Sequence, residues 1–205
     1  MIPDYDSLLI FLHRINALKG VPRFKSSLAS GGDTVAEHSW RLVLMVYVIG
    51  TTFEIDFDLN KALGIALAHD IAELKTGDID GYEVIKGHVT LEKKHIDEDK
   101  AIQHILEGIS FGDRVYDLWS EFEKQDTQEA KFVHALDKIE GYLQLDERGT
   151  DTYIHDVFHA DYATEAVQKF DEATQSFPVL GPLLDLVKQE LKEKFEKRGV
   201  DWVEA

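Results

Sequence analysis

Apolar residues return every three or four positions along most of this chain. That is the period of an amphipathic helix, not the two-residue alternation of a half-buried strand. It predicts helices over Tyr5–Lys19, Thr34–Thr52, Leu59–Leu74, Leu91–Glu107, Arg114–Lys124, Thr127–Asp146, Ala160–Thr174 and Leu180–Lys197. Thr34 stands three residues before Glu37, the spacing of a reciprocal capping box. Gly77 follows the third predicted helix as a left-handed cap residue would. Val21–Gly32, residues 75–90 and Gly149–His159 break the period and read as loops, the first through Ser26-Ser27 and Gly31-Gly32. No run of alternating residues interrupts the pattern, so the expected class is all-α.

The third helix departs from the amphipathic rule. Ala62-Leu63-Gly64-Ile65-Ala66-Leu67-Ala68 is apolar on every face, which predicts a buried helix. It then presents His69-Asp70 and, one turn on, Glu73. An ionised carboxylate in such surroundings is costly unless it is paired or bound to a metal. If the helix runs on to Leu74, spacings of three and four put His69, Asp70 and Glu73 on neighbouring parts of one surface. His38 extends the core stripe Leu42, Met45, Ile49 by one turn, and Asp137 borders the stripe Phe132, Leu136, Ile139, Leu143. Two imidazoles and two carboxylates from three helices suit one divalent ion, with Mn, Co, Mg, Fe and Zn all compatible. Positions left open on a six-coordinate ion would take water and substrate.

Composition narrows the class. There is no cysteine, which removes disulfides, thiolate metal sites and thiol nucleophiles. Asp and Glu number 39 against 22 Lys and Arg, a formal net charge of -17. Such a chain repels nucleic-acid polymers and anionic membranes, while a small anionic substrate needs only a local cation. Met1–Asp6 lacks the basic start and apolar core of a secretion signal, and the apolar run Leu42–Ile49 is too short to span a bilayer. The expected location is the cytoplasm, and 205 residues suit one domain.

The order His38, then His69-Asp70 after 31 residues, then Asp137 after 67 more resembles the HD-domain metal-dependent phosphohydrolases. Within that superfamily the chain is most similar to the HD-domain 5′-deoxynucleotidases. The matching stretches are Val21–Phe24, Val35–Arg41, Ala68–Glu73, Thr76–Ile79, Glu92–His95 and Ala135–Lys138, within residues 5–145. The resemblance implies a single HD-domain helical bundle over 1–205, with its core at about 5–145 and C-terminal helices at about 160–198. It implies one divalent ion on His38, His69, Asp70 and Asp137. Glu73 would position or deprotonate the attacking water, and Asp78 would contact substrate and assist catalysis. Asp70, Ile79, Asp80 and Gly81 would line the same pocket. Arg23 would hold the phosphate. Phe24 stands where relatives carry a tryptophan that packs near the sugar, so selectivity for deoxyribose is left open. The resemblance also implies a homodimer.

The implied reaction releases orthophosphate from (deoxy)nucleoside 5′-monophosphates, and the chemistry stands without the family name. A divalent ion polarises phosphoryl oxygens, and an arginine forks onto phosphate as a lysine cannot. Two alternatives keep the same residues: hydrolysis of a triphosphate, cyclic nucleotide or guanosine polyphosphate, and a non-catalytic nucleotide or metal sensor. Arg41 and Lys138, beside candidate ligands, are expected to neutralise either phosphate or nearby carboxylates. His95 lies in the charged run Glu92–Lys100 and suits a solvated face. Leu183, Leu184, Val187, Leu191 and Phe195 form one stripe on the last helix, for burial in the domain or at a dimer contact.

Overall fold

A computed structural model of the chain describes residues 4–25, 32–53, 55–148, 168 and 171–197. Helix α1 (Tyr5–Ile15) starts where the Asp4 carboxylate accepts from the Ser7 N–H at 3.0 Å. The expected helix to Lys19 instead tightens into a 3₁₀ turn over Asn16–Gly20. Pro22 disfavours helical backbone at the residue before it, and Val21 is extended. Pro22 and Thr34 form an isolated antiparallel bridge that folds this loop back onto α2.

Helix α2 (Val35–Thr52) begins with the expected capping box, both of its hydrogen bonds present between Thr34 and Glu37. Its buried face runs Val35, His38, Leu42, Val46, Gly50, at spacings of three and four. Helix α3 (Leu59–Ala68) is capped by Asp58 and buries Ala62, Ile65, Ala66 and Ala68. It is less enclosed than its composition suggests, because Leu67 is exposed. Gly64 lets Leu118 approach, where a Cβ would lie 3.1 Å from that side chain.

Short helices α4 (Glu73–Thr76) and α5 (Gly81–Ile85) follow, the latter inside the stretch expected to be loop. Then come α6 (Leu91–Leu106), α7 (Gly112–Lys124), α8 (Gln128–Arg148), a 3₁₀ turn over Pro178–Leu180, and α9 (Gly181–Lys197). Among the described residues there is no strand beyond the single bridge. Most of the helix expected over Ala160–Thr174 and the loop over Gly149–His159 lie outside the described residues.

Helices α2, α3 and α8 pack against one another, with α7 across α3 and α8. The main core joins Leu42, Val46, Ile65, Phe132, Leu136 and Ile139. A second cluster joins Ile71 and Ala72 to Ile102, Ile105 and Trp119 on α6 and α7. The stripe on α9 is buried within the chain: Leu184, Val187, Leu191 and Phe195 join the main core, and α9 packs on α8. Each such side chain contributes about 1.5–3 kcal/mol when fully buried. Lys194 adds an ion pair to Asp146 at 2.6 Å. No helix among the described residues is long and apolar enough to cross a membrane.

Candidate metal centre

Three elements of the main core converge on one polar spot. His38 lies on the buried face of α2 and is wholly inaccessible. Its Nδ1 is 2.5 Å from Glu140 Oε2 on α8. His69 follows the last residue of α3, and its Nδ1 is 2.9 Å from the Ala66 carbonyl oxygen. A carbonyl only accepts, so the His69 Nδ1 carries the hydrogen and the Nε2 of the neutral ring is a lone pair. The same holds for His38 over an ionised Glu140. Burial pushes the Glu140 carboxyl up, but the His38 hydrogen bond and the charges of His38, Arg23 and Arg41 bring it down to about 2.

The two Nε2 atoms face each other at 3.1 Å. Asp70 Oδ2 lies 3.0 Å from the Nε2 of His69 and 3.6 Å from that of His38. Asp137 Oδ1 lies 3.2 Å from His38 Nε2. Burial works against ionising either aspartate. The His69 and His38 interactions hold Asp70 below the usual range, and Lys138 and His38 do the same for Asp137. The ligand atoms of His38, His69 and Asp137 form one close group, with Asp70 Oδ2 beside both imidazoles, and a cation resolves these facing acceptors. Donors about 2.1 Å from one ion and at right angles to each other lie about 3.0 Å apart, so these spacings fit neighbouring ligands of one centre. The same surroundings favour a proton. Burial and Arg23 oppose an imidazolium at His38, yet Asp137 and Glu140 raise it to about 9.

The helix expected to continue to Leu74 breaks at these residues. Residues 69–72 form a turn, with backbone bonds Ile71 N–H to Ala68 and Glu73 N–H to Asp70. The stretch follows the tighter i−3 pattern, and the His69 ring bonds the Ala66 carbonyl at the same point. Helix α4 restarts at Glu73, which is buried, and its Oε2 has no hydrogen-bond partner. Burial and the charges of Asp70 and Asp78 push its carboxyl well above the usual range, against Lys94 and Arg23.

A flank beside the cluster is built from two loops. The Arg23 guanidinium lies 3.2 Å from Glu140 and 3.3 Å from Asp33, and 4.9 Å over the Phe24 ring. Phe24 adopts a left-handed backbone, φ 56°, and its N–H donates to Asp78 Oδ2 at 3.2 Å. Burial, Asp70 and Asp80 push the Asp78 carboxyl up, against Arg23 and the Phe24 N–H. Arg23, Phe24 and Asp78 therefore come together. Asp80 is buried nearby, Ile79 half-buried, and Gly81 exposed at the first position of α5.

Sequence reasoning did not find Glu140, although its signal was present: a second acidic residue one turn after Asp137, on the buried side of α8. Arg41 faces α8 and donates to Glu140, Gln144 and Glu147, so of its two expected roles it serves carboxylates. Lys138 pairs with Asp137 at 2.8 Å. Lys94 is the residue of the Glu92–His95 stretch that turns inward. It pairs with Glu98 at 2.9 Å, and Glu98 and Glu73 hold its charge in place against burial. His95 stacks on Trp119 and bonds Glu123 on the outside. Asp33, His38 and Glu140 form another candidate grouping, but there the Arg23 guanidinium already supplies the cation.

Fold and cluster together define an all-α protein built around a buried histidine–aspartate centre. The HD domain family profile matches residues 15–177, and the chain belongs to that family. It is 35% identical over 147 residues to human 5′-deoxynucleotidase HDDC2, spanning 69% of this chain and 68% of that one. It is 31% identical over 154 residues to 5′-deoxynucleotidase YGK1 of Saccharomyces cerevisiae, spanning 71% and 67%. The solved structure of a predicted metal-dependent phosphohydrolase from Magnetospirillum magnetotacticum has the same fold, with a TM-score of 0.73 at 21% identity, over 98% of this chain and 100% of that one.

Proposed function

We propose that this chain is a 5′-deoxynucleotidase that hydrolyses nucleoside 5′-monophosphates, deoxynucleotides among them, to a nucleoside and orthophosphate. One observation carries the reading. Two imidazole lone pairs and two carboxylate oxygens converge, and a buried Glu73 oxygen with no partner lies one turn away. A structural metal site needs no free carboxylate beside it, whereas a hydrolytic one does. The relatives named 5′-deoxynucleotidase support the substrate class.

His38, His69, Asp70 and Asp137 would hold one divalent ion. Bound there, such an ion polarises phosphoryl oxygens and acidifies water. Glu73 accepts the proton of the attacking water through its unpartnered oxygen. Arg23, fixed against Phe24 and Glu140, orients the phosphate by its remaining N–H groups. Water adds its oxygen to phosphorus as the bond to the 5′ oxygen breaks. Asp78, whose carboxyl burial pushes above the usual range, donates to the leaving oxygen when it carries the proton. Ile79, Asp80 and Gly81 continue the loop beside the bound nucleoside.

We infer that the described helices belong to one HD domain, closed by α9. Exposed Trp40, Leu44, Tyr47 and Val48 make an apolar stripe on the outside of α2, which suits a homodimer contact. The acidic, cysteine-free composition suits the cytoplasm.

The test is orthophosphate release from a panel of deoxy- and ribonucleoside monophosphates with Mn²⁺, Co²⁺ or Mg²⁺. Release from monophosphates is expected. A protein that binds metal but releases none from any of them ends the proposal, and pyrophosphate or triphosphate product moves the substrate class.

A further inference from the structure

Glu140 touches both halves of the site without facing the substrate side. It is fully buried, and it is acceptor-only once ionised. Its Oε2 takes the His38 Nδ1–H at 2.5 Å and the Arg23 guanidinium at 3.2 Å. Its Oε1 takes the Arg41 Nε–H at 2.8 Å. We propose that Glu140 is a positioning residue that couples the two ligand sets: its Oε2 holds His38 with Nε2 bare for the metal and aims Arg23 at the phosphate, while Arg41 occupies only its other oxygen. This rests on the nucleotidase reading above.

The argument is one of donors and acceptors. His38 has two ring nitrogens, and whichever lacks the hydrogen is the ligand. Nothing in the cluster prefers one by itself, because Nε2 faces acceptors and would also serve them as a donor. Glu140 decides it by claiming the Nδ1–H. The same oxygen fixes one end of Arg23, whose guanidinium also lies on the Phe24 ring. A glutamine at 140 keeps the volume but brings an NH₂ group among donors. It either loses Arg41 or opposes His38 and Arg23. A substitution behind a metal-bound histidine typically weakens the metal by 10–100-fold.

The experiment titrates Mn²⁺ into wild type, E140Q and R41M, and measures inhibition by inorganic phosphate in each. E140Q is expected to weaken Mn²⁺ by about 10–100-fold and phosphate by about tenfold, the loss of one charge-assisted contact. R41M lowers thermal stability but leaves Oε2 on His38, so its Mn²⁺ affinity stays within about threefold. A folded E140Q with wild-type Mn²⁺ affinity overturns the proposal, and so does an R41M that loses as much Mn²⁺ affinity as E140Q. Should E140Q not fold, ¹⁵N NMR of the Zn²⁺-loaded wild type decides. A protonated, slowly exchanging His38 Nδ1 is expected, and a bare Nδ1 overturns the proposal. Metal titration does not depend on turnover. A wild type that binds Mn²⁺ yet releases no phosphate ends the nucleotidase reading, while the E140Q comparison still judges Glu140.

Discussion

His38 and His69 turn their Nε2 atoms toward each other across 3.1 Å, and each ring is fixed from behind by the hydrogen on its other nitrogen. Two lone pairs at that distance repel. With the Asp70 and Asp137 oxygens beside them, the folded state is costly unless a positive charge enters the gap. A proton on His38, raised to about 9, or a metal ion supplies that charge, so metal binding adds to the stability of the folded state.

Asp137→Asn tests that linkage. A ligand that binds only the folded state adds about 2.7 kcal/mol at one hundred times its dissociation constant. For a chain of this size that is a rise of about 5–10 °C in Tm. Wild type should show this rise with Mn²⁺. The asparagine keeps the shape but removes one anionic donor, and its Tm should barely move at the same Mn²⁺ concentration. Equal shifts in the two proteins, measured by differential scanning fluorimetry, would remove Asp137 from the ligand set.

Glu73→Gln separates chemistry from binding. The substitution spares His38, His69, Asp70, Asp137 and Arg23, so Mn²⁺ affinity and KM should stay near wild type. Without a proton acceptor kcat should fall by about 10²–10⁴-fold. Steady-state kinetics on a deoxynucleoside monophosphate give both numbers. A loss confined to KM would assign Glu73 to substrate binding.

The same residue gives the metal-free protein a pH signature. Burial, Asp70 and Asp78 raise Glu73 well above its ordinary value of 4.5. An acid with a raised folded-state pKa favours folding while protonated. Its contribution is full below about pH 4.5 and is lost as the pH climbs through the raised value. In chelator, E73Q should therefore melt above wild type at neutral and alkaline pH, and the gap should close toward pH 4.5. Comparing the two proteins cancels Asp33 and Glu98, which are also raised and do not face Glu73. A gap that widens on acidification contradicts a buried, strained carboxylate.

The sequence made the helices legible because their apolar period is local, as in the stripe from His38 to Gly50. It made the cluster legible because charged residues on an otherwise apolar helix, such as Asp70 after Ala68, need a partner. The break at residues 69–72 was not legible. Ile71, Ala72, Glu73 and Leu74 would extend a helix, and the turn in their place goes with a His69 side-chain bond to the Ala66 carbonyl that spacing does not announce. Glu140 was missed for a similar reason: its partners His38 and Arg23 lie 102 and 117 residues away. The fate of the α9 stripe was left open, since the same apolar face suits a domain core or a second copy, and only its packing on α8 decides.

Gly32 ties the backbone to the phosphate flank, and Gly32→Ala tests that tie. Its N–H donates to the Arg23 carbonyl at 3.0 Å, and its own carbonyl accepts from Arg148 at 3.1 Å, so the residue is pinned from both sides. A Cβ there would lie 2.8 Å from Phe24 Cδ2 and 2.9 Å from the Arg23 carbonyl oxygen. The ring could swing aside, but the carbonyl belongs to backbone that cannot move without carrying Arg23 with it. Phe24 has little freedom to absorb the shift, because its left-handed backbone is held by the Asp78 hydrogen bond. The strain should cost about 1–3 kcal/mol of stability and displace the guanidinium from Glu140. Inhibition by inorganic phosphate should weaken and KM should rise, while Mn²⁺ affinity holds because no candidate ligand lies on this loop. If phosphate inhibition and KM keep their wild-type values in a folded G32A protein, Arg23 does not depend on this backbone contact for its aim.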